Sequence, residues 1–286
     1  MKDPVYFVNA FSENYYTGNT AAVVLVEEYP SDGEMLALAA EFGFSETAFL
    51  QRIGAGEYQI RWFTPEVEVS LCGHATLASA KSLFAFREKD ADLLTFQSLS
   101  GRLTARRKEG LIELDFPLET SVQHTVDAAL LQALSPLCPM EILSAGASRN
   151  LILVYPDAQN ILDMRPDFEA LAAMKDLPYF GIAVTSSGYF DYVCRYFAPW
   201  EGINEDPVTG SAQTYLAPYW SAKLNKTILK GYQASRRGGD FEVEVLNSRV
   251  LIRGKAFIYL SGDIDTLWRR SDSAVENRNS PPHFHK

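Results

Sequence analysis

Signatures of several common protein classes are missing from this 286-residue sequence. It has no Gly-x-Gly-x-x-Gly segment after a strand pattern and no Gly-x-x-x-x-Gly-Lys loop, which argues against a nucleotide-binding fold. It also lacks the Gly-x-Ser-x-Gly elbow of serine hydrolases. Only four histidines and three cysteines occur, and none of them has zinc-binding spacing. We therefore expect neither a metal nor an organic cofactor.

Basic charge and long apolar runs are also scarce. The sequence has 26 basic and 36 acidic residues, a net charge of -10, whereas a nucleic-acid-binding protein needs a basic face. No stretch approaches the roughly 18 apolar residues of a membrane span, and the first residues lack the layout of a signal peptide. The scattered Cys72, Cys138 and Cys194 form no even-numbered disulfide framework. These absences predict a cytoplasmic protein without nucleic-acid or membrane partners.

What the sequence does contain is an internal repeat. The segment Arg61–Pro65 (RWFTP) recurs as Arg195–Pro199 (RYFAP), at an offset that is close to half the chain. In both copies a strand pattern precedes this segment, and a short turn and an apolar helix follow it. The hydrophobic fraction of 47% is enough for substantial cores. We predict an α+β protein with domains at 1–118 and 119–268 and a polar tail at 269–286.

Strand patterns outnumber helix patterns in both halves. Ser31 and Glu34 form a capping box and Gly43 follows as a stop, which predicts a helix over 31–42. Small and apolar residues predict a helix over 74–86 and another from about 209 to 224. Shorter helices are predicted over 126–134 and 167–174, and strands are predicted at 4–11, 21–26, 44–50, 58–63, 66–70, 93–98, 102–107, 111–116, 150–155, 181–186, 190–197, 230–235, 241–246, 249–253 and 256–261.

Each copy of the repeat places a turn of small residues at the start of an apolar helix. The turns are Cys72-Gly73-His74-Ala75-Thr76 and Asp206-Pro207-Val208-Thr209-Gly210-Ser211-Ala212. Helix N-termini offer unpaired N–H groups and partial positive charge, which bind carboxylates. If the halves face each other across a pseudo-twofold axis, both turns would stabilise an enolate formed beside a bound carboxylate. The alternative is two ordinary helix starts, capped by Thr76 and Thr209.

Glu46 is the candidate proton carrier. Alternation puts Phe44, Glu46, Ala48 and Leu50 on one strand face, and a carboxylate among apolar side chains can act as a general base and then as a general acid. The alternative is a glutamate that caps or pairs at the surface. The helix dipole would keep His74 neutral, ready to donate or accept a hydrogen bond.

Other polar residues near the two turns allow two interpretations each. Asp206 either belongs to the site or acts as an N-cap. Ser211 either binds a carboxylate or is a small helix residue, and Asn19 either forms a tight turn or faces the cleft. Arg61 and Arg195 are interpreted as structural ion-pair residues.

Cys72 supports a rival mechanism, that of an epimerase. A helix N-terminus lowers the pKa of a thiol, so Cys72 could be a thiolate base. Its partner in the second copy of the repeat is Asp206, since Cys72 follows Arg61 at the same distance at which Asp206 follows Arg195. A symmetric two-thiol mechanism is therefore absent.

At these positions the sequence resembles the phenazine-biosynthesis F (PhzF-like) isomerase family, and it looks most similar to the phenazine-biosynthesis-like domain-containing proteins. The motifs follow the family order over most of residues 5–262. They are Phe11 with Gly18-Asn19-x-Ala21-Ala22-Val23, Ser45-Glu46-Thr47-Ala48-Phe49, the two repeat segments 61–65 and 195–199, Leu71-Cys72-Gly73-His74-Ala75-Thr76-Leu77-Ala78, and Glu205-Asp206-Pro207-Val208-Thr209-Gly210-Ser211-Ala212.

The resemblance implies a diaminopimelate-epimerase-like fold: two pseudo-symmetric domains, each a β-barrel-like sheet around a central helix. It implies a cofactor-independent isomerase, a homodimer in many members, that moves a proton at carbon on a small carboxylate held between the domains. Glu46 would be the acid and base, and His74, Asp206 and Ser211 would line the site with the Gly73 and Gly210 backbones.

Ala75 and Thr76, from the first turn of the repeat, and Asn19 are further candidate substrate-binding residues. Gln213 is a departure, because relatives often carry histidine there, and it would change substrate contacts without touching the proton carrier. A binding or regulatory protein on the same scaffold is the remaining alternative.

Overall fold

The computed structural model describes residues 2–12, 14–135, 137–174, 177–188 and 190–265. Ten elements precede residue 118. They are β1 (Lys2–Ala10), β2 (Asn19–Val26), α1 (Asp32–Phe42), β3 (Glu46–Gly54), β4 (Glu57–Phe63), β5 (Glu68–Val69), α2 (Gly73–Phe86), β6 (Leu93–Ser98), β7 (Gly101–Lys108) and β8 (Leu111–Pro117).

The remaining strands and α-helices lie between residues 121 and 265. They are β9 (Ser121–Gln123), α3 (Ala128–Leu134), β10 (Glu141–Ala145), β11 (Asn150–Val154), α4 (Ala158–Asp163), α5 (Phe168–Ala173), β12 (Gly181–Ser186), β13 (Tyr192–Ala198), β14 (Ile203–Asp206), α6 (Gln213–Leu224), β15 (Ile228–Gln233), β16 (Gly239–Val245), β17 (Arg249–Gly254) and β18 (Ala256–Asp265).

The strands form two sets with the same order of neighbours. One set runs β18, β1, β2, β3, β4, β6, β7 and β8, and the other runs β9, β10, β11, β12, β13, β15, β16 and β17. Parallel pairs occur at the same places in both sets, at β2–β3 and β4–β6 and at β11–β12 and β13–β15. Antiparallel pairing of β8 with β17 joins the two sets. The repeat inferred from the sequence is therefore present in the sheet.

The strand that ends the described chain completes the first set. β18 pairs antiparallel with β1, from Lys2 opposite Asp265 to Ala10 opposite Ala256. Residues 256–265 fall in the predicted domain 119–268 and yet pair with the start of the chain. The division of the chain into domains stays a prediction, and the predicted tail at 269–286 lies outside the described residues.

One long helix lies inside each set of strands. Eleven residues of α2 are buried, and its alanines and serines let the surrounding strands approach closely. α6 buries Tyr215, Leu216, Ala217 and Trp220 in the same large core. The shorter helices cover the outside: α1 packs over β2 and β3, whereas α3, α4 and α5 pack over the second sheet.

The helix ends show where local sequence signals were sufficient. Ser31 caps α1 with the predicted capping box to Glu34, and Gly43 adopts the left-handed conformation that ends the helix. The prediction that the last long helix begins near Thr209 was wrong, because α6 begins at Gln213. Residues 207–212 form a turn instead, since the Thr209 N–H and hydroxyl bond to Gln233 and Asp206.

Three short strands and one short helix were not predicted, namely β9, β10, β14 and α4. In the described part of the chain, no helix has the length and hydropathy needed to cross a membrane.

Candidate active site

The two turns predicted from the repeat lie against each other. A Cβ built on Gly73 would lie 2.9 Å from the Cα of Gly210, and one built on Gly210 would lie 3.1 Å from the Cα of Gly73. The first distance is shorter than real Cβ contacts, so a side chain at Gly73 would force the backbone apart, and the second leaves a Cβ at Gly210 only a tight fit. The start of α2 and the turn before α6 therefore meet where the two halves join.

Glu46 begins β3 and points toward the start of α2. Ala48 and Leu50 share its face and belong to the core around α2, as the alternation predicted, whereas Phe44 precedes the strand and packs against Phe7. Glu46 Oε2 lies 3.1 Å from His74 Nε2, and the Glu46 side chain keeps 15% of its surface exposed. The carboxylate therefore lies at ion-pair distance from a buried imidazole, while one part of it still faces solvent.

His74 carries a positive charge more readily than the sequence predicted. Burial acts to lower the pKa of His74, but the contacts of the imidazole with Cys72 and with the Glu46 carboxylate outweigh burial and raise that pKa well above 6.5. The expectation that the helix dipole keeps His74 neutral was wrong, because these contacts are closer than the dipole of α2. A protonated His74 forms an ion pair with Glu46 across the 3.1 Å between Nε2 and Oε2.

Cys72 is an unsuitable base in this structure. The thiol is buried and its Sγ lies 3.5 Å from His74 Nδ1. Burial, followed by the charge of Glu46, raises the pKa of Cys72, which contradicts the expected lowering by the helix N-terminus. The epimerase alternative therefore lacks a thiolate base. The position equivalent to Cys72 in the second half carries Asp206 and not a second cysteine.

Asn19 and Asp206 meet His74 from the two halves of the chain. Asn19 Nδ2 donates to Asp206 Oδ1 at 2.8 Å and to the carbonyl of Val208 at 3.0 Å, and it lies 3.1 Å from His74 Nδ1. The side chain of Asn19 is buried between β2 and the turn that precedes α6. It thus joins the two turns by side-chain hydrogen bonds.

Asp206 is a buried carboxyl with opposing influences on its ionisation. Burial raises the pKa of Asp206, the charge of His74 lowers it, and the nearby Glu46 raises it. Hydrogen bonds from Thr209 and Asn19 also lower it, because they stabilise the ionised form. The resulting pKa is raised above its ordinary value.

The remaining predicted site residues lie within the two turns. Ala75 is fully buried in the first turn of α2, and the Thr76 hydroxyl donates to the Cys72 carbonyl. Ser211 is half-buried beside Gly73. The caps proposed as the alternative are not formed: Cys72 is the N-cap of α2 and Ala212 that of α6.

Arg61 and Arg195 form the predicted structural ion pairs. Arg61 Nη2 lies 2.6 Å from Glu68, and Arg195 Nε lies 2.7 Å from Glu205. Each guanidinium also stacks over the phenylalanine two residues on, with centroid distances of 5.1 and 5.0 Å. The pairs anchor β5 and β14, the short strands that lead into the two turns.

Two polar residues behind the site were missed from the sequence. Gln233 is fully buried and bonds to both ends of the Asp206–Thr209 turn. Arg237 donates to the carbonyls of Thr17 and Gly18, which fixes the turn before Asn19. Gln233 had a signal, because it shares the buried face of β15 with Leu229 and Gly231.

Among the described residues, Glu46, Cys72 and His74 could together hold a metal ion, since their ligand atoms lie within 4.8 Å of one another. Cys72 approaches Nδ1 of the imidazole whereas Glu46 approaches Nε2. A metal would have to replace one of these two contacts. The predicted absence of a metal stays a prediction.

Comparisons with known proteins assign the chain, with its duplicated fold and paired glycine turns, to a class of isomerases. The family described as phenazine biosynthesis-like protein matches residues 8–262. The chain belongs to this family, and it is an isomerase. A relative from Pseudomonas aeruginosa, named as an uncharacterized isomerase, is 41% identical over 92% of this chain and 99% of the relative. Phenazine biosynthesis-like domain-containing protein 2 of Mus musculus is 36% identical over the same shares of both chains.

Solved structures confirm the predicted α+β, diaminopimelate-epimerase-like fold. A phenazine biosynthesis protein of the PhzF family from Enterococcus faecalis superimposes with a TM-score of 0.85 at 41% identity, covering 93% of this chain and all of that one. A probable proline racemase from Agrobacterium radiobacter shares the fold at 11% identity, with a TM-score of 0.61 over 92% of this chain and 93% of that one.

Proposed function

We propose that this protein is a cofactor-independent isomerase that moves a proton between carbon atoms of a small carboxylate. The observation that carries the proposal is the placement of Glu46. Its carboxylate lies 3.1 Å from the His74 imidazole, keeps partial exposure, and stands beside the start of α2, where the two turns meet. A carboxylate held in this way can reach a substrate that binds at the turns.

Glu46 would act as base and then as acid. Its carboxylate takes a proton from a C–H bond next to an activating group, and the electron pair of that bond becomes an enolate. The resulting carboxylic acid then returns the proton to another carbon of the same molecule, which regenerates Glu46. His74, whose Nε2 lies 3.1 Å from Glu46 Oε2, would hold the carboxylate in place by charge between the two steps.

The substrate carboxylate would bind at the amide groups of the turns. The first N–H groups of α2 have no acceptor within the helix, and the helix dipole adds partial positive charge at Gly73 and His74. The Gly210–Ser211 backbone faces them from the second half. Donors aimed at one point from both halves would stabilise the negative charge of an enolate. The homodimer implied by the family resemblance stays a prediction.

Exchange of substrate hydrogen with solvent tests the role of Glu46. The chain is incubated in deuterated water with a panel of cyclic and acyclic amino and hydroxy acids, and deuterium at carbon is followed by NMR. We expect Glu46→Gln to lower the exchange rate of any compound that reacts by about 10²–10⁴-fold, because the amide cannot accept the proton.

Glu57→Gln is the matched control, because Glu57 is an exposed glutamate on the neighbouring strand β4. It should exchange at the wild-type rate. Wild-type exchange in Glu46→Gln would show that another group carries the proton.

A further inference from the structure

Gln233 is a polar residue on an apolar face, and the first half has a different residue at the equivalent place. It is fully buried at the end of β15, where Leu229 and Gly231 share its face. The register of the equivalent strand pairs β13–β15 and β4–β6 relates Gln233 to Ser98, a half-buried serine whose hydroxyl bonds to the carbonyl of Gly101. The two halves share strand order and ion pairs, so this difference is specific to the half that carries Asp206.

The Gln233 amide bonds to the Asp206–Thr209 turn through both of its ends. Nε2 donates to the Asp206 carbonyl at 2.7 Å and lies 3.1 Å from Thr209 Oγ1, and Oε1 accepts from the Thr209 N–H at 2.8 Å. A single side chain therefore fixes the backbone and the hydroxyl of Thr209 in one position.

These bonds decide the direction of the Thr209 hydroxyl. Because Oγ1 accepts from Gln233, its own hydrogen is free to donate, and the acceptor within reach is Asp206 Oδ2. Asn19 donates to the other oxygen, Oδ1. Each oxygen of Asp206 thus receives a hydrogen bond, an arrangement that favours the ionised carboxylate.

We propose that Gln233 is a positioning residue, which acts through the Thr209 hydroxyl to hold Asp206 as a carboxylate beside His74. The proposal rests on the proposed isomerase function only in assuming that Asp206 takes part in the reaction. The hydrogen-bond chain itself exists in the free protein and can be measured there without a substrate.

Several charged or titratable groups face Asp206 and set its ionisation together with this chain. They are His74 on α2, Glu46 on β3, Tyr196 on β13 and Tyr215 on α6. None of these four side chains is removed when Gln233 is replaced. A change in the titration of Asp206 in a Gln233 variant therefore reports the loss of the chain from Gln233 through Thr209.

The titration of Asp206 tests the proposal directly. The free protein is labelled with ¹³C at the aspartate carboxyl carbon, the Asp206 signal is assigned by its loss in Asp206→Asn, and its shift is followed against pH. We expect Gln233→Leu to raise the titration midpoint of Asp206 by about 1 pH unit, because the hydroxyl is no longer held toward the carboxylate. An unchanged midpoint would overturn the proposal.

Thr209→Val keeps the test independent of how well the Gln233 variant folds. Removing the hydroxyl should raise the Asp206 midpoint at least as much as Gln233→Leu, and Thr209→Ser, which retains a hydroxyl, should restore it. The double variant Gln233→Leu/Thr209→Val should shift the midpoint no further than Thr209→Val alone. A midpoint unaffected by Thr209→Val, or additive shifts in the double variant, would show that Gln233 does not act through Thr209.

Gln213→Leu is the matched control. Gln213 is also a fully buried glutamine, but it bonds to the Thr209 carbonyl and to the Tyr192 hydroxyl. It should leave the Asp206 midpoint within about 0.3 pH unit of wild type. A shift as large as that of Gln233→Leu would mean that any loss of buried hydrogen bonding perturbs Asp206, which would overturn the specific role.

The same variants separate this proposal from the proposed function. If Glu46→Gln retains solvent exchange while Gln233→Leu still shifts Asp206, the reaction assignment fails and the positioning role stands. If exchange depends on Glu46 but the titration midpoint of Asp206 is unchanged in Gln233→Leu, only the positioning role fails.

Discussion

At the scale of single residues, the hydrogens of Asn19 agree with a hydrogen on Nδ1 of His74. The amide has two N–H bonds but three acceptors within reach: Asp206 Oδ1, the Val208 carbonyl and His74 Nδ1. A protonated imidazole needs no hydrogen from Asn19 and turns its own Nδ1–H toward the Cys72 sulfur. Both hydrogens of Asn19 then reach oxygen acceptors in the second half.

The charge on His74 predicts a pH-dependent part of the stability. The pKa of folded His74 is raised above its ordinary value of 6.5, so folding favours the protonated form. This contribution is fully present below about pH 6.5 and is lost as the pH rises through the folded pKa. We expect the difference in unfolding free energy between wild type and His74→Gln to shrink over that range, by about 1.4 kcal/mol for each unit by which the pKa is raised.

Urea unfolding at a series of pH values on both sides of that window measures this difference. A gap between wild type and His74→Gln that stays constant, or that widens with rising pH, would contradict a raised pKa for His74.

The residue-scale features of the site were only partly predictable from the sequence. Glu46 could be found because alternation along a single strand reveals a polar residue on an apolar face. Gln233 shows the same pattern on β15, but its meaning depends on contacts with residues 24 and 27 positions away. The bond from Asn19 to Asp206 spans 187 positions. No local pattern specifies such a contact.

At the scale of secondary-structure elements, the contact between the start of α2 and the turn before α6 explains two glycines. Gly73 and Gly210 have ordinary backbone conformations, so they are required by the space around them and not by a positive φ. A Cβ on Gly73 would meet backbone atoms of Gly210 and Ser211, and one on Gly210 would meet the Gly73 backbone and the Phe11 ring. The pair thus sets how closely the two halves approach.

Gly73→Ala should destabilise the protein although it lies in a helix, where alanine is normally the better residue. The added Cβ would force the Gly210 backbone away, and overpacking of this kind costs about 1–3 kcal/mol of unfolding free energy. Chemical denaturation measures the change.

Gly33→Ala is the control with the opposite sign. Gly33 is exposed in α1, and a Cβ there would meet no atom of the described residues within 4 Å. We expect it to stabilise the protein by about 0.5–1 kcal/mol. Equal effects of the two variants would show that the contact between the turns is not tight.

Element boundaries were predictable where the signal was local and not where it was tertiary. The capping box of Ser31 and Glu34 fixed the start of α1 because the donors and acceptors lie within one turn. The start of α6 was predicted four residues too early. There, Thr209 bonds to Gln233 on β15, and this distant partner keeps the turn from joining the helix.

At the scale of the whole molecule, a buried arginine stabilises the junction between the halves. Arg253 on β17 pairs with Glu113 on β8 at 2.6 Å and with Glu242 on β16 at 2.7 Å, and it also bonds to Glu244. The arginine is 6% exposed. One guanidinium therefore compensates three carboxylates at the place where the two sheets are joined.

Arg253→Met should destabilise the protein by about 3–5 kcal/mol, because it leaves three carboxylates close together without their partner. The unfolding free energy in urea measures the loss. Arg249→Met is the matched control on the same strand, since Arg249 pairs with Asp115 on β8 at side chains that are about one third exposed. It should cost no more than about 1 kcal/mol, and comparable losses in both variants would contradict the special role of Arg253.

The duplicated architecture was predictable from one repeated pentapeptide, because equal spacing in both halves implies equal folds. The pairing of β18 with β1 was not, because strands 2–10 and 256–265 lie at opposite ends of the described chain. The pattern of apolar residues in a strand does not identify the strand with which it pairs. The first sheet is therefore completed only when residues 256–265 pair with β1.

That closure sets an order of events during translation. Among the described strands the ribosome makes β1 first and β18 last, so the nascent first half exposes the edge of β1 until Asp265 has been synthesised. The first half thus cannot finish folding before the second half has left the ribosome, although its own residues are made first.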